Sequence, residues 1–350
     1  MRMKTTIIIL SILALLIVAV VAVLHHPAFG RRMSPERKAR IEASPNYRDG
    51  MFQNQLPTPQ FTGDQNMLKA AWTMLTQQNN NRVPVEPLPA VKTDLKSLPT
   101  DRDWFVWFGH SSYLFCLGGK RYLVDPILKL EFPASLMLKP FKGTDIYTPE
   151  DVPDIDYLVI THEHWDHLDY ATLRDLHQKV KHVVCPLGVA EYLEYWHYDK
   201  AIISELDWFE KAGFITCLPS RHFSNRLLRG RNQTLWAAYI VEAGGRKVYI
   251  GGDGGYDDRF HEVREQFGRI DLAIMENGQY NPNWAYVHML PKDLEQAILD
   301  LNAQAVFTVH HDKFALSTHA WSEPDSVAHS IAERNTIKLL DQPIGSVTYF

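Results

Sequence analysis

Residues 161–167 read Thr-His-Glu-His-Trp-Asp-His and directly follow a short apolar run, which predicts that they form the loop at the end of a buried strand. In an extended loop, His162 and His164 project to the same side and can share one metal ion. Asp166 and His167 lie at the turn into the next helix and point to a second position. This one loop therefore predicts ligands for two metal ions.

The remaining ligands must come from elsewhere in the chain, because four residues cannot complete two sites of the zinc type. His222, Asp253 and His310 each follow a predicted strand. Glycines on both sides of Asp253 allow the backbone to approach a metal closely, and a carboxylate at this place can bridge two ions. With the four residues of the loop, these three form the predicted set of metal ligands.

The pattern around these residues indicates the fold. Strand-like runs are predicted at Trp104–Phe108, Tyr113–Leu117, Arg121–Val124, Tyr157–Ile160 and His182–Cys185, and again at Phe214–Leu218, Leu235–Val241, Lys247–Ile250, Leu272–Met275 and Ala305–Val309. Helices are predicted at Tyr170–Gln178, Gly188–Tyr195, Arg259–Phe267 and Pro291–Leu301. Strands followed by helices, twice over, predict two sheets with helices outside them, a four-layer α/β (α+β) domain over residues 101–350.

The order of these motifs resembles the metallo-β-lactamase superfamily over about residues 103–320. The resemblance implies an αββα sandwich that binds two zinc ions (Zn2+) per chain and hydrolyses its substrate. In that family one ion is held by the residues matching His162, His164 and His222, the other by those matching Asp166, His167 and His310, and both by the match of Asp253.

Within the superfamily, the sequence is more closely similar to the phospholipases D that hydrolyse N-acylphosphatidylethanolamine. Residues 107–111 (WFGHS), 252–256 (GDGGY) and 278–282 (GQYNP) carry this similarity. It implies a phosphodiesterase that acts on lipids of this kind. It also implies that His288 protonates the leaving group, so that Asp166 and His288 are the predicted catalytic residues.

The sequence departs from that family in two places. Asn283 stands where the family has an arginine, and His310 is followed by His-Asp-Lys. His311 therefore competes with His310 as the last metal ligand, and the sequence leaves that choice open. Two other functions also stay open, namely hydrolysis of lactones, lactams or other carboxyl compounds, and a membrane-anchored regulatory protein whose metal site is structural.

Arg221 and Tyr280 are the predicted substrate-binding residues. Tyr280 lies in the shared segment 278–282, and Arg221 lies in a basic segment, 220–231, that also contains Arg226, Arg229 and Arg231. Because the guanidinium fork matches phosphate geometry, some of these arginines are candidates to hold a phosphate beside the metals. A solvated basic loop is the alternative.

Composition excludes some classes of protein. The chain has 350 residues, 45% of them hydrophobic, which is ample for a large core without disulfides. Its 36 Lys and Arg against 41 Asp and Glu give a net charge of −5, and this argues against nucleic acid as a partner. The three cysteines are far apart and predict buried thiols rather than a disulfide framework. The oligomeric state is left open.

The N-terminus predicts a membrane anchor over residues 1–30. An apolar run from Ile7 to Leu24 is preceded by Arg2 and Lys4, and it is long enough to span a bilayer. A cleaved signal peptide is the alternative, with Ala28-Phe29-Gly30 as the cleavage site. The basic residues after the run favour a cytoplasmic domain, whereas the short basic head favours export, and we expect an extracytoplasmic domain, periplasmic in a bacterium.

Residues 31–100 predict an N-terminal extension that packs on the domain. They are rich in Pro, Asn and Gln and contain one amphipathic stretch, Gln65 to Leu75. Packing on the core is the favoured interpretation of this stretch, and a membrane-contacting helix is the alternative.

Overall fold

The computed structural model describes residues 2–64, 66–76, 81–226 and 230–350. Helices α1 to α8 span Arg2–Leu24, Pro35–Glu42, Met67–Thr76, Tyr170–Leu176, Ala190–Tyr195, Arg259–Phe267, Pro291–Leu301 and Glu323–Asn335. Strands β1 to β15 span Tyr47–Arg48, Met51–Phe52, Trp104–Trp107, Tyr113–Leu117, Lys120–Val124, Ile155–Val159, Val180–Pro186, Ile203–Leu206, Lys211–Ala212, Ile215–Leu218, Ala238–Ala243, Arg246–Ile250, Leu272–Glu276, Val306–Val309 and Val347–Tyr349.

Two sheets face each other across one core. Their strand orders are β15-β3-β4-β5-β6-β7-β8 and β14-β13-β12-β11-β10-β9. Apolar side chains from both inner faces, such as Phe115 and Tyr239, form the layer between them. Helices α4 and α5 cover the outer face of the first sheet, and α6, α7 and α8 cover that of the second. The predicted αββα sandwich is therefore confirmed.

The direction of the strands explains where a site can form. Strands β5 to β8 are parallel to one another, as are β12 to β14. Strand β10 runs in the same direction as β12, because both are antiparallel to β11. The segments that follow these strands therefore emerge at one edge of each sheet, where ligand sites of such folds gather.

Most predicted elements correspond to an observed element with ends that differ by at most three residues. The apolar pattern does not predict α8, because only Pro324, Ala328 and Ile331 are buried in this helix. It also does not predict β15, because this strand has only three residues and is defined by its antiparallel pairing with β3.

The predicted membrane anchor at residues 1–30 is wrong. Within the described part of the chain, no helix combines the length and the hydropathy needed to cross a bilayer. The single-pass, extracytoplasmic location depended on the anchor and is corrected with it. The end of the predicted segment packs on the domain instead, since Pro27–Phe29 form a turn in which Ala28 and Phe29 are buried.

The segment after residue 30 contacts the domain through charged side chains. The buried Arg37 guanidinium forms ion pairs with Glu191, Glu194 and Glu205, the last two at 2.6 and 3.1 Å. Further along, α3 contains most of the amphipathic stretch predicted from Gln65, although residue 65 itself lies outside the described residues. In this helix Ala70 is buried whereas Trp72 is exposed, so both interpretations of the stretch stay open.

Candidate metal centre

The structure brings all seven predicted metal ligands together at the edge where the strands end. They form two groups, each with its ligand atoms within 4.8 Å of one another. The first group contains His162, His164, His222 and Asp253, and the second contains Asp166, His167, His310 and a further histidine, His110. The loop after β6 supplies residues to both groups, as its spacing predicted.

The first group is a cluster of three imidazoles and one carboxylate. The Nδ1 atom of His164 lies 2.9 Å from Nε2 of His162 and 3.1 Å from Nε2 of His222. Oδ2 of Asp253 lies 3.8 and 3.9 Å from the same two Nε2 atoms. Nitrogen-rich sets of this kind suit zinc and other divalent transition metals.

The second group shares the Asp253 carboxylate with the first. Oδ2 of Asp253 lies 3.2 Å from Nε2 of His167 and 3.2 Å from Nε2 of His310. Oδ2 of Asp166 lies 3.7 and 3.5 Å from these two nitrogens. One oxygen of Asp253 therefore lies between the two groups, which is the position that a bridging ligand requires.

Hydrogen bonds on the far side of the His222 and His167 rings fix the orientation of these two rings. The Nδ1 atom of His222 lies 2.8 Å from the carbonyl oxygen of Val287. Because a carbonyl oxygen only accepts, Nδ1 carries the proton and Nε2 offers its lone pair to the site. The carboxylate of Asp125 similarly lies 2.8 Å from Nδ1 of His167, and it also accepts hydrogen bonds from the backbone N–H and hydroxyl of Thr161.

Burial and mutual charge set the protonation of these residues. Burial lowers the pKa of His162 and His222 well below the usual value and that of His164 to about 4, so these rings are neutral and able to coordinate. Burial would also lower the pKa of His310, but the Asp253 carboxylate outweighs it and raises the pKa to about 10. The second group is therefore the one that must release protons when a metal binds.

The residues fit a metal centre on a second, independent ground. Nε2 of His167, Nε2 of His310 and Oδ1 of Asp253 are all buried and have no hydrogen-bond partner in the part of the chain that the structure describes. Leaving such groups unpaired is costly, by about 1–3 kcal/mol each. A bound cation would give all three a partner.

The sequence motifs do not predict a role at the site for three residues that the structure places there. Nε2 of His110 lies 2.9 Å from Oδ2 of Asp166, whereas the sequence indicates His110 only as part of the shared segment 107–111. Asp125 directly follows β5, and Glu276 is the last residue of β13. Both therefore lie at strand ends, as the predicted ligands do. A search for every buried carboxylate at a strand end would have found both.

His288 lies beside the second group. Its Nδ1 atom contacts Oε1 of Glu276, and its ring stacks on His310 with centroids 5.4 Å apart. Glu276 is fixed in turn by the backbone N–H of Gly254, which donates to its Oε2 at 2.7 Å. His288 and Glu276 also form a third possible ligand group with Asp253 and His310.

The structure separates His310 from His311. His310 points into the metal centre, while Nε2 of His311 lies 3.2 Å from both the hydroxyl and the carbonyl oxygen of Thr308 on the other side of the chain. Gly278 allows this arrangement, because a Cβ atom there would lie 2.2 Å from the carbonyl oxygen of His310. His310 is therefore the residue of the pair that joins the seven.

The two predicted substrate-binding residues lie outside the cavity above the metal centre. Arg221 donates to Thr58 Oγ1, to the Tyr256 carbonyl oxygen and to the Pro57 carbonyl oxygen at 2.9–3.1 Å. Tyr280 donates its hydroxyl to Glu323 at 2.9 Å. Of the other arginines, the buried Arg226 donates to the Glu163 carbonyl oxygen, and Arg229 lies outside the described residues.

A cavity of about 360 Å³ opens above the metal centre. His164, Asp166, Asp253, His288 and His310 form its polar floor. Its walls are largely apolar and come partly from the N-terminal extension and partly from the domain, with Phe61, Ala70, Phe223, Trp284, Val287 and Leu316 as their apolar members. No Lys or Arg lines it among the residues that the structure describes.

Comparison with known proteins gives consistent results. A family model described as a beta-lactamase superfamily domain matches residues 120–311. An uncharacterised protein of Mycobacterium tuberculosis is 35% identical over 301 residues, which are 82% of this chain and 79% of the relative. The N-acyl-phosphatidylethanolamine-hydrolyzing phospholipase D 1 of Caenorhabditis elegans is 29% identical over 238 residues, 61% of this chain and 64% of that protein.

A solved structure with the same fold is that of CmlA, a diiron beta-hydroxylase from Streptomyces venezuelae. It superposes with a TM-score of 0.54 and 18% sequence identity over 76% of this chain and 55% of that one, so this chain spans about half its length. At this level of identity the comparison supports the fold alone.

Proposed function

Because this chain belongs to the beta-lactamase superfamily and is a metal-dependent hydrolase, we propose that it is a binuclear zinc phosphodiesterase of the phospholipase D type. Its proposed substrates are phospholipids resembling N-acylphosphatidylethanolamine, and its proposed products are phosphatidic acid and an N-acylethanolamine. The similarity to the nematode phospholipase D supports this substrate class.

The observation that carries the proposal is the position of Asp253. Its Oδ2 lies within 3.9 Å of Nε2 atoms from both ligand groups, at the floor of a cavity with apolar walls. A shared carboxylate of this kind holds two metal ions close together, and apolar walls suit the acyl chain of a lipid.

When bound, the two ions supply Lewis acids that neutralise the phosphodiester charge and lower the pKa of water. This explains how an anionic substrate fits a cavity whose described lining holds no Lys or Arg. The seven proposed ligands fix the positions of the ions, and Asp125 keeps His167 in the orientation that exposes Nε2. The substrate enters with its phosphate over the polar floor and its acyl chain along Phe61, Phe223 and Trp284.

His288 is the proposed proton donor. Its ring lines the cavity and is oriented by Glu276. As the oxygen of water bonds to phosphorus and the bond to the ethanolamine oxygen breaks, His288 protonates that leaving oxygen and is later reprotonated from solvent. General acids of this kind contribute about 100- to 10,000-fold to the rate.

Zinc is the proposed metal because five of the seven proposed ligands are histidines. Iron is the competing metal, because CmlA, which has the same fold, is a diiron enzyme. Elemental analysis of the purified protein, followed by reconstitution of the metal-free protein with each metal, decides between the two.

The proposal is tested by incubating the zinc-loaded protein with a panel of phospholipids and measuring phosphatidic acid. We expect phosphatidic acid from N-acylphosphatidylethanolamine and none from an Asp253→Asn variant. Hydrolysis confined to lactones, lactams or other carboxyl esters would contradict the proposal and favour the alternative hydrolase. A fully metal-loaded protein that hydrolyses neither class would favour the structural metal site.

A further inference from the structure

The metal ligand His222 is held from outside its own sheet. It lies in the loop after β10, beyond Leu218 and Ala238, the last residue pair between β10 and β11. Among the described residues, no strand pairs with its backbone. Residues 52–62 of the N-terminal extension, the strap, run beside this loop and supply a partner. The strap lies outside residues 120–311, which the family model matches.

One side chain of the strap, that of Asn54, pairs with both backbone groups of His222. The His222 backbone N–H donates to Oδ1 of Asn54 at 3.1 Å, and Nδ2 of Asn54 donates to the His222 carbonyl oxygen at 2.7 Å. The indole N–H of Trp236 donates to the same Oδ1 at 3.1 Å. Two N–H donors at Oδ1 and a carbonyl oxygen at Nδ2 fix the orientation of the amide.

These contacts leave one polar atom of His222 for a metal ion. The backbone N–H and carbonyl oxygen are bonded to Asn54, and Nδ1 of the ring lies 2.8 Å from the Val287 carbonyl oxygen. The remaining polar atom, Nε2, faces the first ligand group and lies 3.1 Å from Nδ1 of His164. Asn54 therefore fixes the backbone from which the ring projects, while Val287 fixes the rotation of the ring.

The strap is itself fixed on both sides of Asn54. Before it, the buried Phe52 donates its backbone N–H to the Asn232 carbonyl oxygen at 2.9 Å, and the Asn232 side chain donates to the Phe52 carbonyl oxygen at 3.0 Å. After it, Arg221 donates to the Pro57 carbonyl oxygen at 3.1 Å. Asn54 is therefore preorganised, so that little further conformational freedom is lost when it holds His222.

Other ligands of the centre are held by the domain itself. The His310 backbone N–H donates to the His110 carbonyl oxygen at 3.0 Å. The His167 backbone N–H donates to the His164 carbonyl oxygen at 3.1 Å, within the ligand loop. His222 differs from these ligands because its backbone is bonded to the N-terminal extension.

We propose that Asn54 is a positioning residue of the metal centre, which holds His222 in place for metal binding in the first ligand group. It acts through the backbone of His222 rather than by binding the ion. A primary amide suits this role because it offers an acceptor and a donor side by side, which match a backbone N–H and carbonyl oxygen. This role rests on the proposed metal centre and not on the choice of substrate.

The test measures Zn2+ affinity by chelator competition in the full-length protein, for the unaltered chain, Asn54→Ala and Asn54→Asp. In Asn54→Asp, a carboxylate oxygen replaces Nδ2 and faces the His222 carbonyl oxygen, so that two acceptors repel each other. We expect one of the two ions to bind about 10- to 100-fold more weakly in both variants, which is typical when the orienting partner of a metal ligand is lost. The other ion should be affected less.

Thr62→Val is the matched control. The Thr62 hydroxyl donates to the Pro282 carbonyl oxygen, so this variant also removes a side-chain hydrogen bond between the strap and the domain. Pro282 is not a metal ligand, and we expect both ions to bind as they do to the unaltered chain. Circular dichroism of the metal-free proteins should give the same spectrum for all variants. Should Asn54→Ala fail to fold, Asn54→Asp, whose side chain has the same size, decides.

A spectroscopic measurement separates positioning of a ligand from general loosening of the fold. Co2+ with four ligands absorbs visible light more strongly than six-coordinate Co2+, so the absorption of the Co2+-loaded protein reports how fully the ligands engage. At saturating Co2+, we expect weaker visible absorption in Asn54→Ala and unchanged absorption in Thr62→Val.

Three results would overturn the proposal. Equal Zn2+ affinities and equal Co2+ spectra in Asn54→Ala and the unaltered chain would remove the role of Asn54 and leave the metal centre standing. Equal losses in Asn54→Ala and Thr62→Val would show that the strap acts only as a whole. Absence of bound metal from the unaltered chain would contradict the metal centre, and the role of Asn54 with it.

Discussion

The two sheets contribute to the metal centre in different ways. The first sheet supplies four of the proposed ligands from one loop, residues 162–167 after β6. The second sheet supplies His222, Asp253 and His310 from three loops, after β10, β12 and β14. The spacing of the first set is fixed within one short loop. The spacing of the second set exists only when the strands are paired and the sheets packed.

This difference shows where the centre depends on tertiary structure. Loops of the second sheet approach neighbouring backbone so closely that a Cβ atom would not fit, as at Gly278 beside His310 and at Gly254 beside Arg221. It also supplies the shared Asp253 and the Glu276–His288 pair. We therefore expect changes in the second sheet to affect the binding of both metal ions and proton transfer. Changes in the first sheet should affect the orientation of individual ligands.

The largest expected effect is that of Asp253→Asn. Loss of the shared carboxylate should reduce the metal content from two ions to one or none and reduce hydrolysis to background, while circular dichroism shows an intact fold. Asp258→Asn, an exposed neighbour, is the matched control and should keep both metal and activity. Full metal content in Asp253→Asn would remove this residue from the centre, and a single ion in the unaltered protein would contradict the two-metal mechanism.

His288→Ala should have the next largest effect. We expect phospholipid hydrolysis to fall by about 100- to 10,000-fold, because the poor leaving group loses its proton donor. Hydrolysis of bis(4-nitrophenyl) phosphate should fall much less, since nitrophenolate leaves without a proton. His261→Ala, an exposed histidine on α6, is the control. If His288→Ala loses a metal ion instead, His288 is a ligand in the third group with Glu276.

Asp125→Asn should lower the metal affinity of the centre without removing a ligand. The Asp125 carboxylate holds Nδ1 of His167 at 2.8 Å, and losing such an orienting partner typically costs about 10- to 100-fold in metal affinity. Competition with a chelator measures this affinity. Asp154→Asn, at an exposed position just before β6, should leave this affinity unchanged. Equal affinities in both variants would show that Asp125 has no orienting role.

Arg221→Ala should have the smallest effect. Because Arg221 holds Pro57 and Thr58, its loss should loosen the segment that places Gln60 and Phe61 in the cavity wall. We expect the KM to rise by less than about tenfold, and equally for phosphodiesters and neutral esters, because Arg221 is half-buried and makes hydrogen bonds of modest net strength. A rise confined to anionic substrates would restore Arg221 as a phosphate-binding residue.

The N-terminal segment shows the limit of composition as a guide. Its apolar run predicts a bilayer span, yet no helix in the described residues combines the length and the hydropathy of such a span. The buried turn Pro27–Phe29, whose Pro27 carbonyl oxygen accepts from Trp196 Nε1 at 2.9 Å, belongs to the domain. Such packing depends on residues far away in the chain, so a local hydropathy pattern does not report it.

The sequence by itself determined the sandwich fold, the seven proposed metal ligands and the metal-dependent hydrolase family. The fold and the four ligands of the loop follow from local patterns, because strand periodicity and the spacing of residues 162–167 are fixed by the covalent chain. The family, and the division of the seven ligands between two ions, follow from the resemblance of the motifs in their order. Tertiary structure decided between His310 and His311, because the turn beside Gly278 directs one ring into the centre and the other into a separate cavity. It also placed Arg221 against Thr58 and Glu276 against His288. Contacts between such distant residues arise only when the sheets pack, and no local pattern encodes them.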